Sequence, residues 1–367
     1  MVFVLLSTPE GFAMRLSLLA AAALLLAGCA TTPAPVTSTA TAVPFERAKN
    51  VIFMVGTGMG INTLTAARIY AVGEEGDLTI DTLPESAFVK TYSKDAQVTD
   101  GAAAMAAYMT GAKANNGSGC APGPTLAQLA RARGLAIGFV TTGRSAASTC
   151  SGVADAMVVD AGPALADGTH TAIAALSQRP NGFFLFVENG HIGRALDATL
   201  AKRALQETVA FDAALKTAVD QMQLIDPGLK NTLIVATADH DNTMLINGYS
   251  PRTGKTTATN AGVLGLVRNV GDNKLRLDKD GMPYSILGFG NGEHRVNGSR
   301  ATAPVLTDAM TSADGYHQEA TIRMPAGGAT HSGNDVYLGA IGAGANTFYG
   351  TIDNTRVFGL IKAAAGW

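Results

Sequence analysis

The amino-acid sequence predicts an α/β fold with a doubly wound, mostly parallel central sheet flanked by helices, and three observations lead there. Short, continuous apolar runs alternate with stretches of helical spacing. Polar and reactive residues follow the ends of those runs, and 42 glycines in 367 residues supply the many tight turns that such a layout needs. An apolar run bounded by turn residues marks a strand buried on both faces. Strands alternating with helices build parallel sheets whose sites lie at the carboxyl ends of the strands.

The first such unit is residues 50–55, NVIFMV, closed by Gly56-Thr57-Gly58-Met59-Gly60 and followed by helical spacing over 63–71. The same order returns at 136–142 (AIGFVTT), 182–187 (GFFLFV), 232–237 (TLIVAT) and 336–341 (VYLGAI). Helices are expected over 125–133 and over a long stretch, 198–222, where Leu200, Leu205, Val209, Phe211, Leu215 and Val219 mark an apolar side. Residues 248–260 and 301–315 have loop composition and read as insertions. There is no internal repeat, and no second boundary divides the folded part.

Hydrophobic residues make up 47% of the chain and charged residues 15%, enough to bury a large core; a net charge of -2 argues against a nucleic-acid or polyanion binder. The N-terminus reads as a targeting segment. Met14-Arg15 begins a charged region, and residues 16–27 are apolar but short for a bilayer. Leu26-Ala27-Gly28-Cys29 resembles the lipobox of bacterial lipoproteins, with Cys29 as the lipidated residue. The alternative is an ordinary secretory signal with an incidental cysteine. Residues 1–13 read as an over-extended start, 30–44 as a Thr/Ala/Pro-rich tether, and 45–367 as a single domain. These features predict an exported, lipid-anchored chain at the periplasmic or outer face of a bacterial membrane. An oxidising compartment permits a disulfide between Cys120 and Cys150, although sequence alone provides no Cα separation.

Chemistry concentrates at a few points. In residues 98–117, VTDGAAAMAAYMTGAKANNG, a polar turn leads into a helix-favouring run, placing residue 101 at a helix start. Orphan N–H groups and the dipole there favour an anion, so Gly101, Ala102 and Ala103 are candidate phosphate-binding residues. Glu188 follows GFFLFV, Asp239-His240 follows TLIVAT, and Thr330-His331-Ser332 precedes VYLGAI. Carboxylates with imidazoles at strand ends suit a divalent metal, since hard cations take carboxylate oxygen and zinc adds imidazole nitrogen. Taken singly, Asp239 also fits a helix cap, and either histidine a hydrogen-bonded loop residue.

The order of motifs goes further. NVIFMVGTGMGINTLTAARIY, VTDGAAAMAAYMTGAKANNG, GFFLFVENGHIG with QETVAFDAAL, LIVATADHDN, DGMPYSILGFGNG, YHQEA and THSGNDV with GANTFYGTIDNT resemble, in sequence, the alkaline phosphatase family over residues 48–366. The resemblance implies a phosphomonoesterase with two zinc ions and one magnesium, in which a serine attacks phosphorus; it also implies a homodimer. Carried over by position, Asp239 and His240 match the pair on one zinc, His331 a ligand of the other, Glu188 a magnesium ligand and Thr149 the hydroxyl on that magnesium.

Other positions depart from the family. Thr57 stands where an aspartate bridges two metals, and Gly101 where the nucleophilic serine stands. Gly193 replaces a zinc aspartate, Asp197 a zinc histidine, and Asp160 occupies the position of the phosphate-clamping arginine. The segment between Thr149 and Glu188 is short, so no large crown insertion is expected. Loss of a nucleophile can cost on the order of 10⁶ in rate. Two cations about 4 Å apart need anionic bridges that a threonine hydroxyl does not supply. The expectation is therefore a degenerate member that binds a phosphate-type ligand, with zinc and magnesium reduced to one weak cation site or none. The alternatives are an active phosphatase or phosphodiesterase using metal-bound hydroxide, and an envelope scaffold.

Overall fold

Three apolar runs form the centre of the molecule, because fully buried strands exchange every side chain's water for packing and every peptide's water for a ladder bond. The computed structural model describes residues 47–143, 150 and 152–367. The signal segment, the tether, Cys29 and Thr149 lie outside them. In chain order the elements are β1 (Asn50–Gly56), α1 (Ile61–Val72), β2 (Glu85–Lys90), α2 (Gly101–Thr110), α3 (Leu126–Ala132), β3 (Ala136–Thr141), β4 (Met157–Asp160) and α4 (Leu165–Leu176). They continue with β5 (Phe183–Asn189), α5 (Gly190–Asp197), α6 (Ala201–Ile225), β6 (Thr232–Ala238), β7 (Met244–Ile246) and β8 (Leu287–Gly292). The last are α7 (Asp308–Thr311), β9 (Ala320–Arg323), β10 (Val336–Gly342), β11 (Gly350–Asp353) and α8 (Asn354–Ala365).

The main sheet has the strand order β11-β2-β10-β6-β1-β5-β3-β4, and a small second sheet has the order β7-β8-β9. Strands β6, β1, β5, β3 and β4 run parallel, with Met54 level with Val187 on one side and Ala236 on the other. Strand β10 is antiparallel to β6 and to β2. That reversal has a functional consequence. The residues preceding β10, which include His331, arrive at the carboxyl edge of β6 rather than at the opposite end. Helix α6 packs against α1, α4 and α5. It buries Ala204, Leu205, Phe211, Ala214, Leu215, Ala218 and Met222 at helical spacing.

The single helix expected over 198–222 is present as α6, with its start moved to Ala201. Thr199 has φ 56, in the left-handed region, so α5 ends at Asp197 and α6 starts at Ala201. Three of the expected apolar positions, Leu200, Val209 and Val219, are only half-buried, and within α6 alanines share the contact. Residues 301–315 contain the short helix α7, while 248–260 form no helix or strand. Cys120 and Cys150 are joined by a disulfide, with Cα atoms 5.2 Å apart. Among the described residues no helix is long and apolar enough to cross a membrane.

Candidate functional site

Four adjacent strands of the main sheet deliver the site. Reading across β6, β1, β5 and β3, their carboxyl ends present Asp239, Thr57, Glu188 and Thr142 in that order. Asp239 and His240 are each 1% exposed. Oδ1 of Asp239 accepts from the N–H of Gly58 at 2.8 Å and from that of His240 at 2.9 Å. These bonds hold the carboxylate and leave Oδ2 turned toward Gly101, 3.5 Å from Nε2 of His240. The imidazole of His331 stacks on that of His240, centroids 3.5 Å apart and planes 12° from parallel. Nδ1 of His240 lies 3.2 Å from the carbonyl of Asp241, and Nδ1 of His331 lies 2.9 Å from that of Thr99. Both rings therefore keep Nε2 available. Burial pushes His240 below the ordinary histidine value, with Asp239 acting against it and His331 with it.

Helix α2 points its first turn at this pair. A Cβ built on Gly101 stands 3.2 Å from Oδ2 of Asp239 and 3.9 Å from Nε2 of His240. The backbone at Gly101 is helical, so no positive φ demands glycine there. Asp100 caps the helix, and its Oδ1 accepts from the N–H of Ala103 at 2.7 Å. This corrects the anion-binding set: the N–H of Ala103 is already used, leaving those of Gly101 and Ala102. On the inner side, the hydroxyl of Tyr108 donates to the carbonyl of Ala238 at 2.7 Å and fixes α2 against β6.

The other sequence-marked residues divide between the edge and its surroundings. The hydroxyl of Thr57 donates to Oε1 of Glu188 at 3.3 Å, so these two meet. A Cβ on Gly193 would stand 2.8 Å from Cγ2 of Thr57. Hence Thr57 fills the space that a carboxylate at residue 193 would enter. Asp197 is exposed and accepts from Nδ2 of Asn242 at 3.2 Å. His331 stacks on His240 instead of pairing with it. Asp160 ends the outer strand β4, three strands from β1 or about 14 Å at normal strand spacing. It accepts from the N–H of Gly162, and nothing aligns it with the cluster.

Asp241 and Arg194 at this edge carried no signal in the sequence reading, and Thr142 was legible there only as a polar residue following its strand. Asp241 is 1% exposed, and burial pushes its carboxyl up to about 6 although Nδ2 of Asn334 donates to it at 2.8 Å. The hydroxyl of Thr142 accepts from the N–H of Gly190 at 3.0 Å and donates to Oδ1 of Asn189 at 3.0 Å. Arg194 brings a guanidinium to the carbonyl of Thr142 at 2.6 Å. The location of Asp241 beside Asp239-His240 was the available clue. Arg194 becomes visible only once α5 is placed.

Asp239 and His240 place two donors at a spacing that one divalent cation accepts. Two ligands about 2 Å from one tetrahedral cation stand roughly 3.3 Å apart, close to the separation of Asp239 Oδ2 and His240 Nε2. Carbonyls on both Nδ1 atoms are the usual support for histidine ligands. The bridging position holds a neutral hydroxyl, and Gly193 has no side chain. Among the described residues, no three His, Cys, Asp or Glu side chains are spaced to enclose a metal ion, so further positions on a cation would fall to water or a bound anion.

A doubly wound sheet with carboxylate, imidazole and a helix start gathered at its carboxyl edge defines an α/β protein with its candidate site at the strand ends, and comparison with known proteins makes the class specific. The alkaline phosphatase family model matches residues 48–159 and 159–367. The chain belongs to the alkaline phosphatase family. It is similar to a membrane-bound alkaline phosphatase of Bombyx mori, 36% identical over 196 residues that cover 53% of this chain and 32% of that one. It also resembles the tissue-nonspecific alkaline phosphatase of Gallus gallus, 25% identical with 84% of this chain and 83% of that one covered. Among solved structures, a cold-active alkaline phosphatase from a psychrophilic Shewanella superposes with TM-score 0.60 at 21% identity, covering 86% of this chain and 99% of that one. The Thermus thermophilus alkaline phosphatase superposes with TM-score 0.56 at 17% identity, covering 91% and 95%.

Proposed function

We propose that this member of the family binds a phosphate-type anion at the carboxyl edge of the sheet with little or no phosphomonoester hydrolysis. The interlock of Thr57 with Gly193 carries the reading. A methyl group stands where a dinuclear site needs carboxylate, and Gly101 offers no nucleophile to the anion held beside it. Asp239 and His240 would hold one cation, zinc by their mixed oxygen and nitrogen donors, with water or the bound anion at its other positions. Its positive charge, when bound, would offset the Asp239 carboxylate. The N–H groups of Gly101 and Ala102 then orient the anion at the start of a ten-residue helix. Magnesium, when bound, would fall at Glu188, beside the neutral hydroxyl of Thr57. The Cys120–Cys150 disulfide supports export to an oxidising compartment, with anchoring through Cys29 as the accompanying proposal.

The test is hydrolysis of 4-nitrophenyl phosphate with zinc and magnesium titrated, beside calorimetric binding of inorganic phosphate. The expected result is zinc-dependent phosphate binding that Asp239→Ala abolishes, with no turnover above background. Steady, metal-dependent turnover that Asp239→Ala abolishes would overturn the proposal.

A further inference from the structure

A cavity of about 650 Å³ lies away from the sheet edge, between the small sheet and the segments around residues 266–285 and 294–300. Its floor includes Leu245 of β7 and Phe289 of β8, and Leu277 forms part of its wall. Leu245 is 39% exposed and Leu277 54% exposed, so the lining presents apolar surface to water. A volume of this size is in the range of sites for small organic ligands, roughly 300–1,000 Å³.

The charges around the cavity are unequally used. Arg300 is spent on the frame: Nη1 reaches Asp278 at 3.1 Å, Nη2 reaches Glu319 at 3.2 Å and the carbonyl of Pro283 at 2.7 Å. Its backbone N–H donates to Asp280 at 2.8 Å. These bonds engage the three acidic residues of the lining and tie its walls together. Arg276 and Arg295 also line the cavity and make no ion pair with any described residue. The guanidinium of Arg276 has only a distant ring, that of Tyr249 at 5.9 Å. Two unspent cations beside apolar surface are complementary to a ligand with an anionic head and an apolar body.

We infer that this cavity is a second binding site, for a small anionic amphiphile such as an acyl or aryl carboxylate or phosphate. The apolar body lies along Leu245 and Leu277, and the head is held by Arg276 and Arg295. The site is independent of the sheet edge and of any phosphate bound there.

Binding of anilinonaphthalene sulfonate to the full chain, followed by fluorescence, tests it, with laurate, dodecyl phosphate and uncharged dodecanol as competitors. Expected are saturable binding to one site, displacement by laurate or dodecyl phosphate and not by dodecanol, and a loss of about tenfold in affinity for Arg276→Ala with Arg295→Ala. Whichever of the two anions displaces more strongly identifies the head group. Leu277→Asp should weaken binding comparably, while Asp239→Ala should leave it unchanged. Equal affinity in the double-arginine variant, or equal displacement by dodecanol, would overturn the inference. Circular dichroism of each variant separates loss of the site from loss of the fold.

Discussion

The methyl group of Thr57 occupies the space above Gly193: a Cβ placed on that glycine stands 2.8 Å from Cγ2 and 3.3 Å from the Thr57 carbonyl oxygen. Thr57, in the turn after β1, and Gly193, in α5, therefore pack directly against each other, a branched side chain facing a position that has none.

Gly193→Ala should overpack this contact and destabilise the protein by about 1–3 kcal/mol. Adding Thr57→Ser removes Cγ2 and should recover part of the loss, with a coupling of about 0.5–3 kcal/mol between the sites. Urea unfolding of the two single variants and the double variant measures it. Additive effects would contradict the interlock.

Zinc should stabilise the protein through Asp239 and His240. At a free concentration of a hundred times Kd, the expected gain is about 2.7 kcal/mol, visible as a rise in Tm. Asp239→Asn or His240→Ala should diminish it, and Glu188→Gln should leave most of it. If zinc raises Tm equally in wild type and Asp239→Asn, the cation is held elsewhere.

Asp353 provides a pH dependence away from the candidate site. Burial acts to raise its pKa, but the N–H and hydroxyl of Thr355, Tyr92 and Lys113 outweigh it, so the carboxyl is held below the ordinary aspartate value. Oδ1 accepts from the Thr355 hydroxyl at 2.8 Å, and Lys113 lies 3.3 Å away. A depressed folded pKa contributes stability above the unfolded pKa, near pH 4, and loses it as pH falls through the folded value. The urea midpoint of wild type should fall below about pH 4 more steeply than that of Asp353→Asn. Parallel curves would rule this contribution out.

Residues 50–55, 182–187 and 232–237 announced their strands because a strand buried on both faces has nowhere to put a polar side chain. The same logic placed Thr57, Glu188 and Asp239 at strand ends. Short or edge strands were not legible: β2 and β4 expose alternate residues, and β7 has three residues. The break at Thr199 was also hidden, because helical spacing of apolar residues continues through it.

By itself, the sequence determined the central strands, the order of the family's motifs and the absence of a hydroxyl at residue 101, all of which are properties of local composition and position. Only the tertiary structure decided how those residues meet. The antiparallel course of β10 brought His331 onto His240, and Thr57 closed over Gly193. Such contacts join segments tens to hundreds of residues apart, and their distances depend on strand order, direction and packing, which no local pattern encodes.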